Sequence, residues 1–336
     1  MLTSIEICAG AGGQALGLHE ARFKHLALVE IDDAACDTLR LNNEIHNLGW
    51  GDIIHGDVAE FAERRASEFK GKVDLVAGGV PCPPFSKAGR QLGKDDERDL
   101  FPIALDIVHR VRPKAVMIEN VAGLLDSKFD SYRAEIESTL EGMGYNVMGW
   151  RLLQASDFGV PQLRPRVIMV ALQSEFVSHF EWPQEFDKVP AKTVGQTLVD
   201  LMSSKGWEGA LAWAENANKI APTLVGGSKK HGGPDLGPTR AKRQWKELGV
   251  NGHRLANEDE IPGPGFVGFK EGYEGMPLLT VRMAARIQGF PDYWQFSGKK
   301  TASYRQVGNA FPPPVSKAVG SKIYQALSAV LKHKVA

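Results

Sequence analysis

The run Val73-Asp74-Leu75-Val76-Ala77-Gly78 leads directly into Gly79-Val80-Pro81-Cys82-Pro83-Pro84-Phe85-Ser86-Lys87-Ala88-Gly89. A short apolar, β-branched stretch that stops at glycine and proline reads as a buried strand followed by a loop. In an open α/β sheet, chemistry sits on loops at the carboxyl ends of strands. Proline fixes its own φ and pushes the preceding residue out of helical space. Pro81, Pro83 and Pro84 therefore restrict where the Cys82 thiol can go. That suits a nucleophile. On this segment alone the other reading stays open, a cysteine packed as a small hydrophobe.

The same alternation extends to both sides. Strands are expected at Ile5–Cys8, His25–Ile31, Ile53–His55, Val73–Gly78, Ala115–Glu119, Tyr145–Gln154 and Arg166–Leu172, with helices between most of them. This pattern predicts an α/β fold, a doubly wound and mostly parallel sheet. From about Phe180 glycine and proline become dense, tryptophans appear and the alternation fades. A second, smaller, loop-rich domain is expected over 179–300, with 1–178 and 301–336 forming the first.

Composition narrows the class. With 336 residues, 43% apolar and 24% charged, the chain has the make-up of an ordinary globular protein. No apolar run approaches the ~20 residues that span a bilayer. The start, Met1-Leu2-Thr3-Ser4-Ile5-Glu6, lacks the basic patch of a signal peptide. Cys8, Cys36 and Cys82 have no paired spacing, which points to a reducing compartment and excludes a disulfide frame or zinc site. The histidines form no metal-ligand motif, so no metal is expected and the expected location is the cytoplasm.

Residues 6–17 read Glu-Ile-Cys-Ala-Gly-Ala-Gly-Gly-Gln-Ala-Leu-Gly, between a strand and a helix. Gly10, Gly12 and Gly13 allow a tight turn and close approach to a ligand. Glu30, about 20 residues on at the end of the next strand, is placed to accept from ribose hydroxyls. Asp57 ends the third strand and is placed to meet an adenine amino group. Gly10-x-Gly12-x-x-Ala15 also fits a dinucleotide fingerprint, and a plain tight turn would look the same. Nucleotide-like ligands are favoured and their identity is open.

Ala115-Val116-Met117-Ile118-Glu119-Asn120-Val121 is an apolar strand ending in an acid, which a doubly wound sheet would bring to the same rim as Cys82. In Val160-Pro161-Gln162-Leu163-Arg164-Pro165-Arg166 the two arginines alternate, so an extended segment would send both to one face. That suggests an anionic or carbonyl-bearing ligand. Net charge is zero, yet between Lys219 and Lys246 seven basic residues face only Asp235, a local excess of +6. Such a stretch in a neutral protein is a phosphate footprint or an ordinary solvated surface.

Taken in order, these segments resemble the DNA (cytosine-5) methyltransferase family, of the bacterial restriction-modification type. The carriers are Glu6–Gly13, Pro81-Cys82-Pro83-Pro84-Phe85-Ser86, Glu119-Asn120-Val121 and Gln162-x-Arg164-x-Arg166. Leu279–Pro291 and Tyr304–Val315 complete the set. Any one is weak, but all occur in the family's order from Glu6 to Val315. Two positions depart from it. Cys8 stands where the family usually has a phenylalanine that packs on adenine, and Pro83 where it often has glutamine.

The resemblance implies an enzyme that moves a methyl group from S-adenosylmethionine to carbon 5 of a cytosine in a specific duplex DNA sequence. The base would be flipped out, since its reacting atoms are inaccessible in a duplex, and Cys82 would add to carbon 6. Glu119, protonated or sharing a proton, would reach the ring nitrogen, and Arg166 the base carbonyl. Asn120 would position the loop and Arg164 complete the catalytic set. The cofactor site would comprise Cys8, Ala9, Gly10, Gly12, Gly13, Glu30, Ile31, Asp57, Val58, Pro81, Leu100 and Asn309. DNA would meet Ser86, Lys87 and Arg90 on a mobile lid, and Lys229, Lys230, Arg240, Arg243 and Gln244 in a target-recognition domain. The implied partners are double-stranded DNA and a restriction endonuclease, with the enzyme itself a monomer at the nucleoid. An RNA substrate, a nicotinamide oxidoreductase and a binding protein that has lost catalysis are the competing readings. The last two leave Cys82, Glu119 and Arg166 without work.

Overall fold

Five parallel strands form the heart of a seven-stranded sheet in a computed structural model that describes residues 1–81, 99–227, 233 and 235–333. The strands are β1 (Thr3–Ile7), β2 (Lys24–Glu30), β3 (Asp52–His55), β4 (Leu75–Gly79), β5 (Ala115–Val121), β6 (Tyr145–Gln154) and β7 (Pro165–Gln173). Their order is β3-β2-β1-β4-β5-β7-β6. β1 pairs in parallel with both β2 and β4, and β7 runs antiparallel to β5. The strand order reverses between β1 and β4, the kind of switch point at which doubly wound sheets bind ligands.

The central strands are buried on both faces because helices cover both. The first five helices are α1 (Gly13–Glu20), α2 (Asp33–Ile45), α3 (Val58–Arg64), α4 (Phe101–Val111) and α5 (Asp130–Gly142). On one face Ile5, Ile7, Val29, Val76, Val116 and Ile118 pack against Phe61, Phe101, Ile107, Ile136 and Leu140 in a continuous buried core. Local chemistry sets the helix starts. Asp32 accepts from Ala35 N and caps α2, and Asp57 accepts from Ala59 N and caps α3. α4 carries a proline in its first turn and ends at Arg112, which takes φ +54°.

The chain divides into two compact units. The first comprises 1–153, 165–186 and 315–336, and the second 154–164 and 187–314. The second is built from helices and long loops: α6 (Val194–Ser203), α7 (Ala210–Asn216), α8 (Thr239–Glu247), α9 (Val281–Ile287), α10 (Lys300–Asn309) and the start of α11 (Pro313–His333). Thr193 and Gln196 form a reciprocal capping box on α6. A Cβ on Gly195 would lie 2.0 Å from Ala214 O, so only glycine lets α6 meet α7 this closely. Trp207 packs edge-on to Phe266, and Trp213 donates from Nε1 to Gly249 O at 2.9 Å. No helix among the described residues is long and apolar enough to cross a membrane.

Candidate active site

Two clusters lie at the carboxyl ends of the first unit's strands. The first follows β1 and β2. The chain turns at Cys8 (φ +52°), Gly10 (φ +54°) and Gly12 (φ +85°) before entering α1 at Gly13. Glu30 at the end of β2 fixes this turn. Its Oε2 accepts from Gly10 N at 2.7 Å, and its Oε1 accepts from Ile31 N at 2.9 Å and Asp32 N at 2.8 Å. A carboxylate has about four lone-pair sites, so capacity remains for a ligand's hydroxyl groups. A Cβ on Gly10 would meet nothing within 4 Å, so the turn leaves open space beside the backbone.

Ala9 is buried and donates from N to Val29 O at 3.0 Å, holding the turn against β2. Ile31 is 63% exposed, an apolar side chain that a planar ring could cover. Asp57 is exposed and spends Oδ1 on Ala59 N at 2.7 Å, and buried Val58 follows it. Leu100, half-buried, stands at the cap of α4, and Pro81 is exposed at the end of the β4 segment. These residues fit a nucleoside-bearing ligand: a glycine turn with open space, acids for hydroxyl and amino groups, and apolar side chains. Asn309 belongs to the second unit, where its Nδ2 donates to Gly227 O at 3.1 Å.

The second cluster follows β4 and β5. In the register of these strands Gly79 stands beside Glu119. A Cβ on Gly79 would sit 3.0 Å from Glu119 Oε2, so the glycine makes room for the carboxylate. Arg166 enters from β7, whose antiparallel register places it opposite Val121 and diagonal to Glu119. Its Nε donates to Glu119 Oε1 at 2.8 Å, and its Nη1 donates to Pro165 O at 2.8 Å. Burial presses the guanidinium's pKa down, and Glu119 pushes it back up. Asn120 is buried and donates from Nδ2 to Val80 O at 2.9 Å, gripping the chain two residues before Cys82. Cys82, Ser86, Lys87, Arg90, Lys229 and Lys230 lie outside the described residues. The other two thiols are poor nucleophiles, since burial pushes Cys8 up to about 12 and Cys36 up to about 11.

The two arginines of the motif do not share one strand face. β7 begins at Pro165, so strand alternation holds for Arg166 and does not reach Arg164. Arg164, in the second unit, is 1% exposed. Its guanidinium donates to Leu224 O at 2.9 Å, Gly308 O at 2.8 Å and Ala310 O at 3.2 Å. The latter two carbonyls end α10, the negative pole of that helix dipole. Gln162 accepts from Leu224 N at 2.8 Å and donates to Gln288 Oε1 at 2.7 Å, extending the buried network.

In α8, Ala241 and Trp245 face inward. Arg240, Arg243 and Gln244 are exposed on the outer face, at helical spacing that aligns them. One buried acid was not singled out in the sequence. Glu6 is 1% exposed, and among the described residues neither of its carboxylate oxygens has a hydrogen-bond partner. Its signal was an acid between two buried isoleucines, Ile5 and Ile7.

The fold is that of methyltransferases. It superposes on a methyltransferase of Entamoeba histolytica, EhMeth, with a TM-score of 0.62 at 14% identity, covering 97% of this chain and 99% of that one. The sequence gives the particular group. The model of the C-5 cytosine-specific DNA methylase family matches residues 2–325. The chain is 55% identical to the Type II methyltransferase M.NaeI of Lentzea aerocolonigenes, over 97% of this chain and 76% of that protein. It is 52% identical to the Type II methyltransferase M.NgoMIV of Neisseria gonorrhoeae, over 97% of this chain and 98% of that protein. The chain belongs to the C-5 cytosine-specific DNA methylase family.

Proposed function

We propose that this enzyme methylates carbon 5 of a cytosine within a specific duplex DNA sequence, with S-adenosylmethionine as donor and Cys82 as covalent nucleophile. The observation that carries the reading is the Arg166–Glu119 pair beside Gly79, with Asn120 bonded to the backbone that leads into Cys82. Carbon 5 is a weak nucleophile until a thiolate bonds to carbon 6 and pushes electron density onto the ring. Arg166 donates to the base carbonyl as charge develops there. Glu119, carrying a proton, donates to the ring nitrogen. Their mutual hydrogen bond orients both groups before the base arrives. The target base is rotated out of the helix, at a cost of a few kcal/mol. Release reverses the addition: the carbon 5 proton leaves, its electron pair restores the ring double bond and Cys82 departs as thiolate.

When bound, S-adenosylmethionine supplies an electrophilic methyl group on a sulfonium sulfur. Gly10, Gly12 and Gly13 would cradle it, with Glu30 at the ribose, Asp57 at the adenine amino group and Ile31 on the ring. Cys8, Ala9, Val58, Pro81, Leu100 and Asn309 complete this assignment. The exposed face of α8, with Arg240, Arg243 and Gln244, supplies DNA contacts, and the second unit acts in target recognition. By kinship with Type II methyltransferases, the enzyme protects DNA from a partner restriction endonuclease.

The test is transfer of tritiated methyl from S-adenosylmethionine to duplex DNA and to RNA of matching sequence. Label recovered as 5-methylcytosine from DNA alone is expected. Label in RNA, or on a nitrogen of the base, overturns the reading.

A further inference from the structure

Glu6 occupies a position where an acid is hard to justify structurally. β1 sends Ile5 and Ile7 into the apolar core, which leaves Ser4 and Glu6 on the other face. Ser4 Oγ bonds His25 Nδ1 at 3.0 Å on that face, while both oxygens of Glu6 go unmatched among the described residues. Unpaired buried polar groups are rare and costly, and they call for a reason.

The surroundings supply one. Glu6 precedes the Cys8 turn by two residues. Burial holds its carboxyl well above the usual carboxylate range, and Glu30 raises it further. The Cys8 thiol is acted on, after burial, by Glu30, Asp57 and Glu6 in turn. Three carboxyl groups therefore converge on one glycine turn, and among the described residues the charges acting on Glu6 and Cys8 are carboxylates. On the same sheet face, His25 is pushed down to about 4 by burial and is neutral.

We infer that Glu6 is the counter-charge of the cofactor site, favouring a cationic sulfonium donor over the neutral thioether left after transfer. This rests on the S-adenosylmethionine reading given above. Glu6 is almost wholly buried, so it acts through the field across the Cys8 turn and not by contact, in a low-dielectric setting where such fields are strong. A bound sulfonium favours the ionised carboxylate, whose proton passes to solvent. On transfer the methyl group leaves without the bonding electron pair, which stays on sulfur, and the positive charge is lost from the donor. Glu6 then regains a proton, and the neutral product is held less tightly than the substrate. Glu6 is thus a positioning residue that sets selectivity between donor and product.

Calorimetric titration of the wild type and of Glu6→Gln with S-adenosylmethionine and with S-adenosylhomocysteine tests this. The wild type is expected to prefer the sulfonium, and Glu6→Gln to reduce that preference roughly tenfold. An unchanged preference in a folded Glu6→Gln overturns the inference. Repeating the wild-type titrations in two buffers of different ionisation enthalpy counts protons without any variant. Greater proton release with the sulfonium supports the inference, and equal release for both ligands overturns it. A wild type that binds neither ligand instead defeats the underlying cofactor reading.

Discussion

Arg166 Nε lies 2.8 Å from Glu119 Oε1, and each side chain is only 13% exposed. One residue comes from β7 and the other from β5, joined through an antiparallel register in an otherwise parallel part of the sheet. That inversion brings a guanidinium to the carboxyl end of β5, where a parallel strand would have presented a different terminus. An acid and a cation are thus held together at the rim, beside the end of β4.

Breaking this pair removes a buried, charge-assisted hydrogen bond. Arg166→Met is expected to destabilise the protein by roughly 3 kcal/mol, because Glu119 Oε1 loses the guanidinium donor. Arg166→Met combined with Glu119→Gln is expected to recover most of that loss, while both proteins lose methyl transfer. Urea unfolding of the two single variants and the double variant measures the coupling. Additive effects would show that the two groups do not depend on each other.

Arg164 and Arg166 are expected to fail in different ways. Lysine cannot reproduce the fork that Arg164 sets against three carbonyls. Arg164→Lys is expected to cost roughly 3 kcal/mol in the second unit and to lower the melting temperature. Arg166→Lys keeps a cation near Glu119, so it is expected to lose turnover by a larger factor than it loses stability. Thermal melts set beside initial rates separate the two roles.

These residues also show what a sequence can disclose. The parallel strands were legible because each is a short apolar run bounded by glycine, proline or a capping acid. The glycine turn was legible because glycine permits backbone angles that other residues avoid. Arg164 and Arg166 looked equivalent because their difference is not local. β7 starts at Pro165, and the carbonyls that take Arg164 come from residues 224, 308 and 310. The direction of β7 also follows from tertiary pairing and leaves no local mark. Glu6 was read as the start of a glycine motif, since only its partners, or their absence, reveal it as an unmatched acid.

His25 gives the fold a defined acid sensitivity. Burial pushes its pKa down to about 4 from the ordinary 6.5, and it stands between Ser4 Oγ and Ala15 O. Its stabilising contribution is complete above pH 6.5, where folded and unfolded chains are both neutral. It is lost as pH falls toward 4, because the unfolded chain binds the proton first. The full loss is roughly 3 kcal/mol. Unfolding free energies of the wild type and His25→Gln should converge as pH falls from 7 to 4.5. Glu6, raised in the folded state, works in the opposite sense and cancels in the comparison. A pH-independent difference would contradict the assignment.

Two glycines should respond differently to alanine. A Cβ on Gly308 would lie 2.4 Å from Gly226 N and 2.5 Å from its Cα, with backbone that cannot swing aside. Gly308→Ala is therefore expected to cost about 3 kcal/mol. Gly10 has open space, so Gly10→Ala bears chiefly the left-handed backbone penalty of about 1–2 kcal/mol. It should fold and lose affinity for S-adenosylmethionine. Chemical denaturation and calorimetric binding check both outcomes.

The central claim is that one sulfur attacks the target base. Duplex DNA with every cytosine replaced by 5-fluorocytosine presents all possible sites and blocks release, because fluorine cannot leave as a proton. Incubation with S-adenosylmethionine, proteolysis and mass spectrometry then locate the adduct. A covalent nucleotide is expected on the Cys82 peptide and none with Cys82→Ser. An adduct on Cys8 or Cys36, or no adduct from a protein that methylates ordinary DNA, would contradict it.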